Sequence, residues 1–179
     1  VLFHIYAIVI NTVASILIGV LLLRFWMQAI RLRPPQNVGE FVYTLSDWLV
    51  KPMRRIIPGV AGLDWASLVS VLLIAVLGAF LQRVWFYDFD PLHLLQYALP
   101  SLLAAIYWGL MFLLVLMVAI SWINPYAPIA PFVNALLSPL LRPIRRVIPP
   151  IGGIDFSAVV LILVLNIAYY ALSELIDRL

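Results

Sequence analysis

Cysteine is absent, so disulfides, thiolate nucleophiles and cysteine-held metals are excluded. Charge is scarce: 11% of the 179 residues are charged, against about 25% in ordinary soluble domains. Histidine occurs only as His4 and His93. Both lie near the ends of apolar runs, with no helical partner spacing, so neither a metal site nor a cofactor is expected. No glycine-rich phosphate loop is present, and the scattered serines have no base in their sequence context. An enzyme is therefore not expected. The 11 Lys and Arg are too few, and too close to apolar runs, to build a nucleic-acid face.

What the chain has in abundance is apolar sequence. Hydrophobic residues make up 65% of it, well above the ~45–50% of globular domains. Ile5 to Leu23 is 19 residues without a charge, and Trp65 to Gln82 and Phe156 to Ser173 are each 18. A further uncharged tract of 48 residues runs from Leu94 to Leu141. Pro100 opens its most apolar part and Asn124-Pro125 closes it, leaving 23 residues from Ser101 to Ile123. A helix needs roughly 20 residues to cross a ~30 Å hydrocarbon core. Four transmembrane helices are predicted, at about 5–26, 65–86, 101–123 and 156–176. A small-residue cleavage site does not follow the first run, which reads as a span and not as a removed leader. No period-two alternation supports a barrel.

Two shorter helices are expected between spans. Val38, Phe41, Val42, Leu45, Trp48 and Leu49 recur at spacings of three and four within 38–50, with Glu40, Tyr43, Thr44 and Asp47 on the other faces. That segment is too short to cross and is expected to lie flat at the interface. Phe132, Val133, Leu136, Leu137 and Leu140 repeat the spacing within 131–141 without a charge, so an interfacial helix and a re-entrant or protein-buried one both remain open there.

After each short helix the same string follows. The first copy reads Lys51-Pro52-Met53-Arg54-Arg55-Ile56-Ile57-Pro58 and then Gly62-Leu63-Asp64. The second reads Arg142-Pro143-Ile144-Arg145-Arg146-Val147-Ile148-Pro149 and then Gly153-Ile154-Asp155. At a constant offset of 91, seven of the thirteen positions from Pro52 to Asp64 are identical. The chain is a tandem duplication, 1–90 and 91–179, each copy holding span, short helix, motif, span. Two spans per copy bring both copies into the membrane in the same orientation, as parallel repeats. The fold class expected is an all-α polytopic membrane protein.

Basic residues set the orientation. Arg31, Arg33, Lys51, Arg54 and Arg55 fall in the first inter-span segment, and Arg142, Arg145 and Arg146 in the third, so 8 of 11 share one side. Arg24 is expected to snorkel to that side. The other side holds Arg83 and Arg178 among Asp88, Asp90, Glu174 and Asp177. The positive-inside rule then places the motif loops in the cytoplasm and both termini outside.

The paired string Pro-x-Arg-Arg-x-Ile-Pro with Gly-x-Asp resembles the signature of the YggT/YlmG family, whose bacterial members carry it twice and some plastid relatives once. The copies differ slightly, with Ala61-Gly62 against Gly152-Gly153 and Trp65-Ala66-Ser67 against Phe156-Ser157-Ala158. The resemblance covers essentially the whole chain. It implies a bacterial inner-membrane protein, related to plastid factors for cytochrome assembly and for nucleoid or division organisation, with a loose link to osmotic tolerance. It carries no catalytic residue.

Each motif residue has a physical role to expect. Pro52 and Pro143 should stop the preceding helix, and Pro58 and Pro149 should fix a second bend. Gly62 and Gly153 permit backbone shapes that other residues resist. Asp64 and Asp155 should cap the spans that follow. For Lys51, Arg54, Arg55, Arg142, Arg145 and Arg146 three roles compete: contact with anionic phospholipid, ion pairing with the motif aspartates, and docking of a partner protein or phosphate. In the spans, Ala7, Asn11, Ser15 and Gly19 form a small polar stripe suited to close helix contact, Ser101, Ala105 and Gly109 make another, and Asn166 stands with Tyr169 and Tyr170. No Asp or Glu lies within the uncharged runs that form the spans, and Glu174 stands only at the end of the fourth, which disfavours coupled transport. The expected function is a non-enzymatic membrane scaffold or assembly factor that contacts lipid, a membrane-protein partner or a second copy of itself. The alternative is an oligomeric passive channel or transport component, in which Asn11, Ser15 or Asn166 would face water.

Overall fold

The computed structural model describes residues 2–59, 62–83, 91–148 and 155–178. It holds six helices in the order α1 (Leu2–Ala29), α2 (Gln36–Ile56), α3 (Trp65–Arg83), α4 (Pro91–Ile123), α5 (Ala130–Val147) and α6 (Ser157–Asp177). Four of them, α1, α3, α4 and α6, are long and apolar enough to cross a membrane. Residues 84–86, the expected end of the second span, lie outside the described residues, as do Asp88 and Asp90.

Most of the apolar surface faces outward. Ile5, Ile8 and Val9 on α1, Leu72, Leu73 and Val76 on α3, Trp108 and Phe112 on α4, and Leu163 and Ile167 on α6 are all exposed. A water-soluble chain would not leave so large an apolar surface uncovered. This is a multi-pass membrane protein.

The same packing scheme occurs twice. α1 packs on α3 with α2 against both, and α4 packs on α6 with α5 against both. α1 and α3 also pack on α4, which joins the two halves. One core gathers Ile18 and Leu21 from α1, Val50 from α2, Val71, Ile74 and Ala75 from α3 and Ala98 from α4. The other gathers Val20 and Met27 from α1, Val42 from α2, Leu114 and Met117 from α4, Leu136, Leu137 and Leu141 from α5 and Leu161 from α6. The Trp26 indole near the end of α1 donates to the Leu136 carbonyl on α5 (2.9 Å), tying the short helix of the second half to the first.

Pro100 does not open the third span: α4 begins at Pro91 and carries Pro100 within it. Proline removes one helical hydrogen bond, but Ala98 is buried just before it and Leu102 packs on the same core just after it. The expected α1 stripe makes a helix contact only at Asn11. A Cβ on Gly19 would meet nothing within 4 Å, and Asn11 and Ser15 are exposed. Gly109 on α4 is equally open. Close approach occurs one position away from Ser15, where a Cβ on Gly78 would sit 3.2 Å from the Ala14 methyl. Asn11 instead accepts from Gln82 across α1 and α3 (2.9 Å), and Asn166 accepts from the Tyr107 hydroxyl across α4 and α6 (3.0 Å). Tyr107 also stacks on Tyr169, with ring centroids 4.3 Å apart.

The short helices each turn one face into the protein. On α2 that face is Gly39, Val42, Ser46 and Val50, at steps of three and four. Phe41 and Trp48, expected on the same apolar face, are exposed. On α5, Phe132, Val133, Leu136, Leu137 and Leu141 are buried.

Candidate functional site

Each short helix ends just before the second proline of its motif, not at the first. α2 runs through Pro52 to Ile56, and α5 through Pro139 and Pro143 to Val147. This corrects the expectation that Pro52 and Pro143 end these helices. Each helix is held on both sides of its proline by burial: Val50 and Met53 in one core, Leu141 and Ile144 in the other. The helices end at Ile57 (φ −118°, ψ 96°) and Ile148 (φ −121°, ψ 91°), in nearly identical extended geometry. Each of these residues precedes a proline in the sequence, whose ring disfavours the helical region for its neighbour. Their N–H groups still donate to Met53 and Ile144, both at 2.8 Å. Gly62 follows with φ +80°, a conformation only glycine adopts without strain. Pro149 and Gly153 lie outside the described residues.

Each bend delivers an aspartate to the start of a span, where an arginine from the preceding short helix meets it. Arg54 reaches Asp64 through Nη2 to Oδ2 (2.5 Å) and Nε to Oδ1 (3.3 Å). Arg145 reaches Asp155 Oδ2 through Nη2 (2.5 Å) and Nε (3.0 Å). Asp64 is the cap of α3, its carbonyl accepting from Leu68 N–H and its carboxylate from Ser67 N–H (3.3 Å) and Ser67 Oγ (2.6 Å). Asp155 stands one place earlier relative to its helix, because Phe156 carbonyl accepts the first α6 bond. Its carboxylate nevertheless accepts Ser157 N–H (3.0 Å) and Ser157 Oγ. In the second copy the cap falls one place later and the serine one place earlier, yet each aspartate keeps a serine N–H and hydroxyl as partners.

Burial alone would raise the Asp64 pKa, but hydrogen bonds from Arg54 and Ser67 outweigh it and hold the carboxyl below its usual range. The same holds at Asp155, with Ser157 and Arg145 opposing burial. The Asp64 carboxylate in turn raises the Arg54 guanidinium above its ordinary value.

Around Asp64 the first copy builds a larger polar cluster. Arg24, near the end of α1, is only 5% exposed. Its Nη1 donates to Ser46 Oγ (2.5 Å) and Asp47 Oδ1 (2.8 Å), and its guanidinium lies over the Tyr43 ring. Arg24 therefore does not snorkel outward; α2 captures it. Its Nε is buried without a hydrogen-bond partner, 3.9 Å from Asp64 Oδ2. Lys51 pairs with Asp47 at 2.8 Å, and that bond above all holds the Asp47 carboxyl below its usual range. Arg54 Nη2 also donates to Gln28 (2.9 Å). Beside the cluster opens a cavity of about 450 Å³ lined by Arg24, Gln28, Arg31, Arg33, Tyr43 and Arg54, with Met27, Leu32, Pro34 and Gly62 completing its wall.

Of the six cations expected to contact lipid or a partner, three are thus engaged within the protein: Arg54, Arg145 and Lys51. Arg55, Arg142 and Arg146 are exposed. In the sequence Arg24 reads only as a snorkelling charge, Ser46 and Asp47 have no site role, and Arg31 and Arg33 count only as topological charges. A signal was present: the charges at 24, 31 and 33 have no counterpart in the second copy, which is uncharged from Leu94 to Leu141.

The comparisons with known proteins agree with the duplication. The chain matches the CCB3/YggT family twice, over residues 3–85 and 96–176. It is 31% identical to a protein named YggT from Escherichia coli (strain K12) over 176 residues, covering 93% of this chain and 88% of the relative. It is 32% identical over 174 residues to PA0392 of Pseudomonas aeruginosa, covering 89% and 83%. A Vibrio alginolyticus protein encoded in the proC 3′ region is 31% identical over 175 residues, covering 93% and 92%. No solved structure matches. With two tandem matches that take in both motif copies, the chain belongs to the CCB3/YggT family.

Proposed function

We propose that this protein is a non-enzymatic scaffold of the bacterial inner membrane whose two motif loops share the cytoplasmic face and hold anionic phospholipid or a partner protein. The observation that carries the reading is the division of labour within each Arg pair. Arg54 and Arg145 are spent on the aspartates, while Arg55 and Arg146, their chain neighbours, are exposed. A purely structural motif would need one arginine per copy. The second one, with Arg142, offers charge at headgroup depth, each residue worth about 1 kcal/mol near an anionic surface.

Parallel repeats bring both motifs to one face. The Trp26–Leu136 bond supports this arrangement, because it links the motif end of α1 to the short helix of the other copy. The outward Phe41 and Trp48 of α2 suit an amphipathic helix lying at the interface, with aromatic side chains at headgroup level. The rival, a water path between spans, is less well served. Asn11 and Asn166 are bonded within separate helix pairs, α1 with α3 and α4 with α6.

The test is to replace Arg55, Arg142 and Arg146 together with Gln and to weigh the lipids and proteins that copurify from native membranes. The variant should insert and fold normally, because the ion pairs and bends are untouched. It should lose anionic lipid or a protein partner. Unchanged copurification would refute the reading.

A further inference from the structure

We infer that the cavity of the first copy is a built site for a phosphate group, carried by a lipid headgroup or by a free phosphate compound. The inference deepens the preceding reading, on which it rests in part, by placing a specific pocket where that reading needs only a basic surface. The first ground is charge. Arg24, Arg31, Arg33 and Arg54 line one cavity of about 450 Å³, and no carboxylate among the described residues lines it. Lys51 stands behind them on Asp47. Five cations thus meet two carboxylates, Asp47 and Asp64, and Glu40 faces the adjoining groove on the far side of Pro34 and Tyr43. Arg31 and Arg33 form no ion pair among the described residues, so two guanidinium forks are free for bidentate recognition. The volume falls in the range of small-molecule sites.

The second ground is the buried Arg24. Its Nε is buried without a hydrogen-bond partner, and the nearest carboxylate oxygen, Asp64 Oδ2, stands 3.9 Å away. Arg24 lines the same cavity, and an anion seated there would meet the charge of its guanidinium.

The third ground is strain. α1 closes in a two-bond C-terminal turn, Leu32 N–H to Met27 carbonyl (2.8 Å) and Arg31 N–H to Gln28 carbonyl (3.0 Å). The left-handed position of that turn ordinarily belongs to glycine. Here it is Arg31, at φ 55°. A side chain kept where its backbone is unfavourable points to a use for that side chain. Its Nη2 lies 3.9 Å from where a Gly62 Cβ would stand, so the guanidinium reaches back across the cavity to the bend before α3.

The fourth ground is the second copy. It builds the same three-helix arrangement with Leu137 at the place of Ser46, at the offset of 91, and without a charge from Leu94 to Leu141. At the same offset Arg24 corresponds to Val115 and Asp47 to Ser138, so the second copy has no counterpart of the Arg24–Asp47 pair. Folding therefore does not require the extra cations; a ligand does.

Two probes test this with the full chain. Inorganic pyrophosphate is titrated onto protein in phosphatidylcholine nanodiscs. Phosphatidylglycerol retention is read by native mass spectrometry from mixed nanodiscs. The doubles Arg31→Gln/Arg33→Gln and Arg142→Gln/Arg146→Gln remove equal charge from the two copies. The expected result is saturable binding that falls at least about tenfold in the first double and not in the second. Retention of the lipid alone assigns a headgroup, and pyrophosphate binding assigns a free phosphate compound. Arg31→Gly should weaken binding while raising the melting temperature, a pairing that a merely structural arginine would not give. Equal losses in both doubles, or binding indifferent to Arg31→Gly, would overturn the pocket and leave the broader basic surface standing. Binding of neither probe would overturn the pocket and leave a protein partner as the occupant of the broader basic surface.

Discussion

Arg54 Nη2 sits 2.5 Å from Asp64 Oδ2, and ninety-one residues on Arg145 Nη2 sits 2.5 Å from Asp155 Oδ2. Both pairs span ten residues of chain and clamp a short helix to the start of a membrane span. The clamp joins the two physical jobs of the motif: it closes the bend and it satisfies the helix end. The copies differ in depth, since the Asp64 side chain is 2% exposed and that of Asp155 34%.

That difference in depth predicts unequal losses. Asp64→Ala strands Arg54 and the buried Arg24 beside an empty position, and should cost about 3–5 kcal/mol, the usual penalty for breaking a buried pair. Asp155→Ala removes a more solvated carboxylate and should cost about 0.5–2 kcal/mol, as for loss of a cap-type bond. Thermal unfolding in one detergent compares them. Equal shifts would count against the buried cluster as the larger anchor.

Acid should weaken the fold through the same residues. Hydrogen bonds from Lys51, Arg54 and Ser157 and their neighbours hold the Asp47, Asp64 and Asp155 carboxyls below the ordinary carboxylate range. A depressed folded pKa contributes stability that is fully present above the unfolded value and disappears as pH falls through the folded one. The melting temperature should therefore be insensitive to these groups near neutrality and drop below about pH 4. Asp64→Asn should lower the neutral plateau and flatten the acid fall. A variant as steeply acid-sensitive as the parent would show that other groups govern it.

The prolines of each motif should behave oppositely. Pro52→Ala restores a helical hydrogen bond inside α2 and should be neutral or stabilising, by up to ~3 kcal/mol. Pro58→Ala relieves the restraint on Ile57 and lets the helix run on past the bend. It should loosen the Arg54–Asp64 clamp, seen as faster amide exchange at Ser67 and Leu68. Unchanged exchange there would place the cause of the bend elsewhere.

Topology can be read with single cysteines, since the parent has none. Gln36 and Asn134 are exposed near the starts of α2 and α5; His93 lies near the start of α4. An impermeant thiol reagent added outside intact cells should label only the cysteine at His93. Cysteines at Gln36 and Asn134 should react after permeabilisation. Labelling of one of that pair without the other would contradict parallel repeats.

The sequence by itself determined the spans, the duplication and the ion-pair option, because each depends on local or repeated composition. Lipid solvent demands long uncharged runs, and those runs are plain at Ile5 to Leu23 and Trp65 to Gln82. A bend before a proline is a near-neighbour steric effect, so Pro58 reports on Ile57 without any knowledge of the fold. What only the tertiary structure decided is which proline wins and which cation is free. Pro52 and Pro143 look like helix stops in sequence, yet core contacts on both sides carry the helices through them. Arg24, Arg31, Arg33 and Arg54 are spread over thirty residues, and nothing in their spacing relates them. They become one cavity wall because α2 folds back across the end of α1 and the bend at Gly62 returns the chain beside it. Burial and charge pairing depend on which helices meet, and that is a property of packing between segments far apart in the chain.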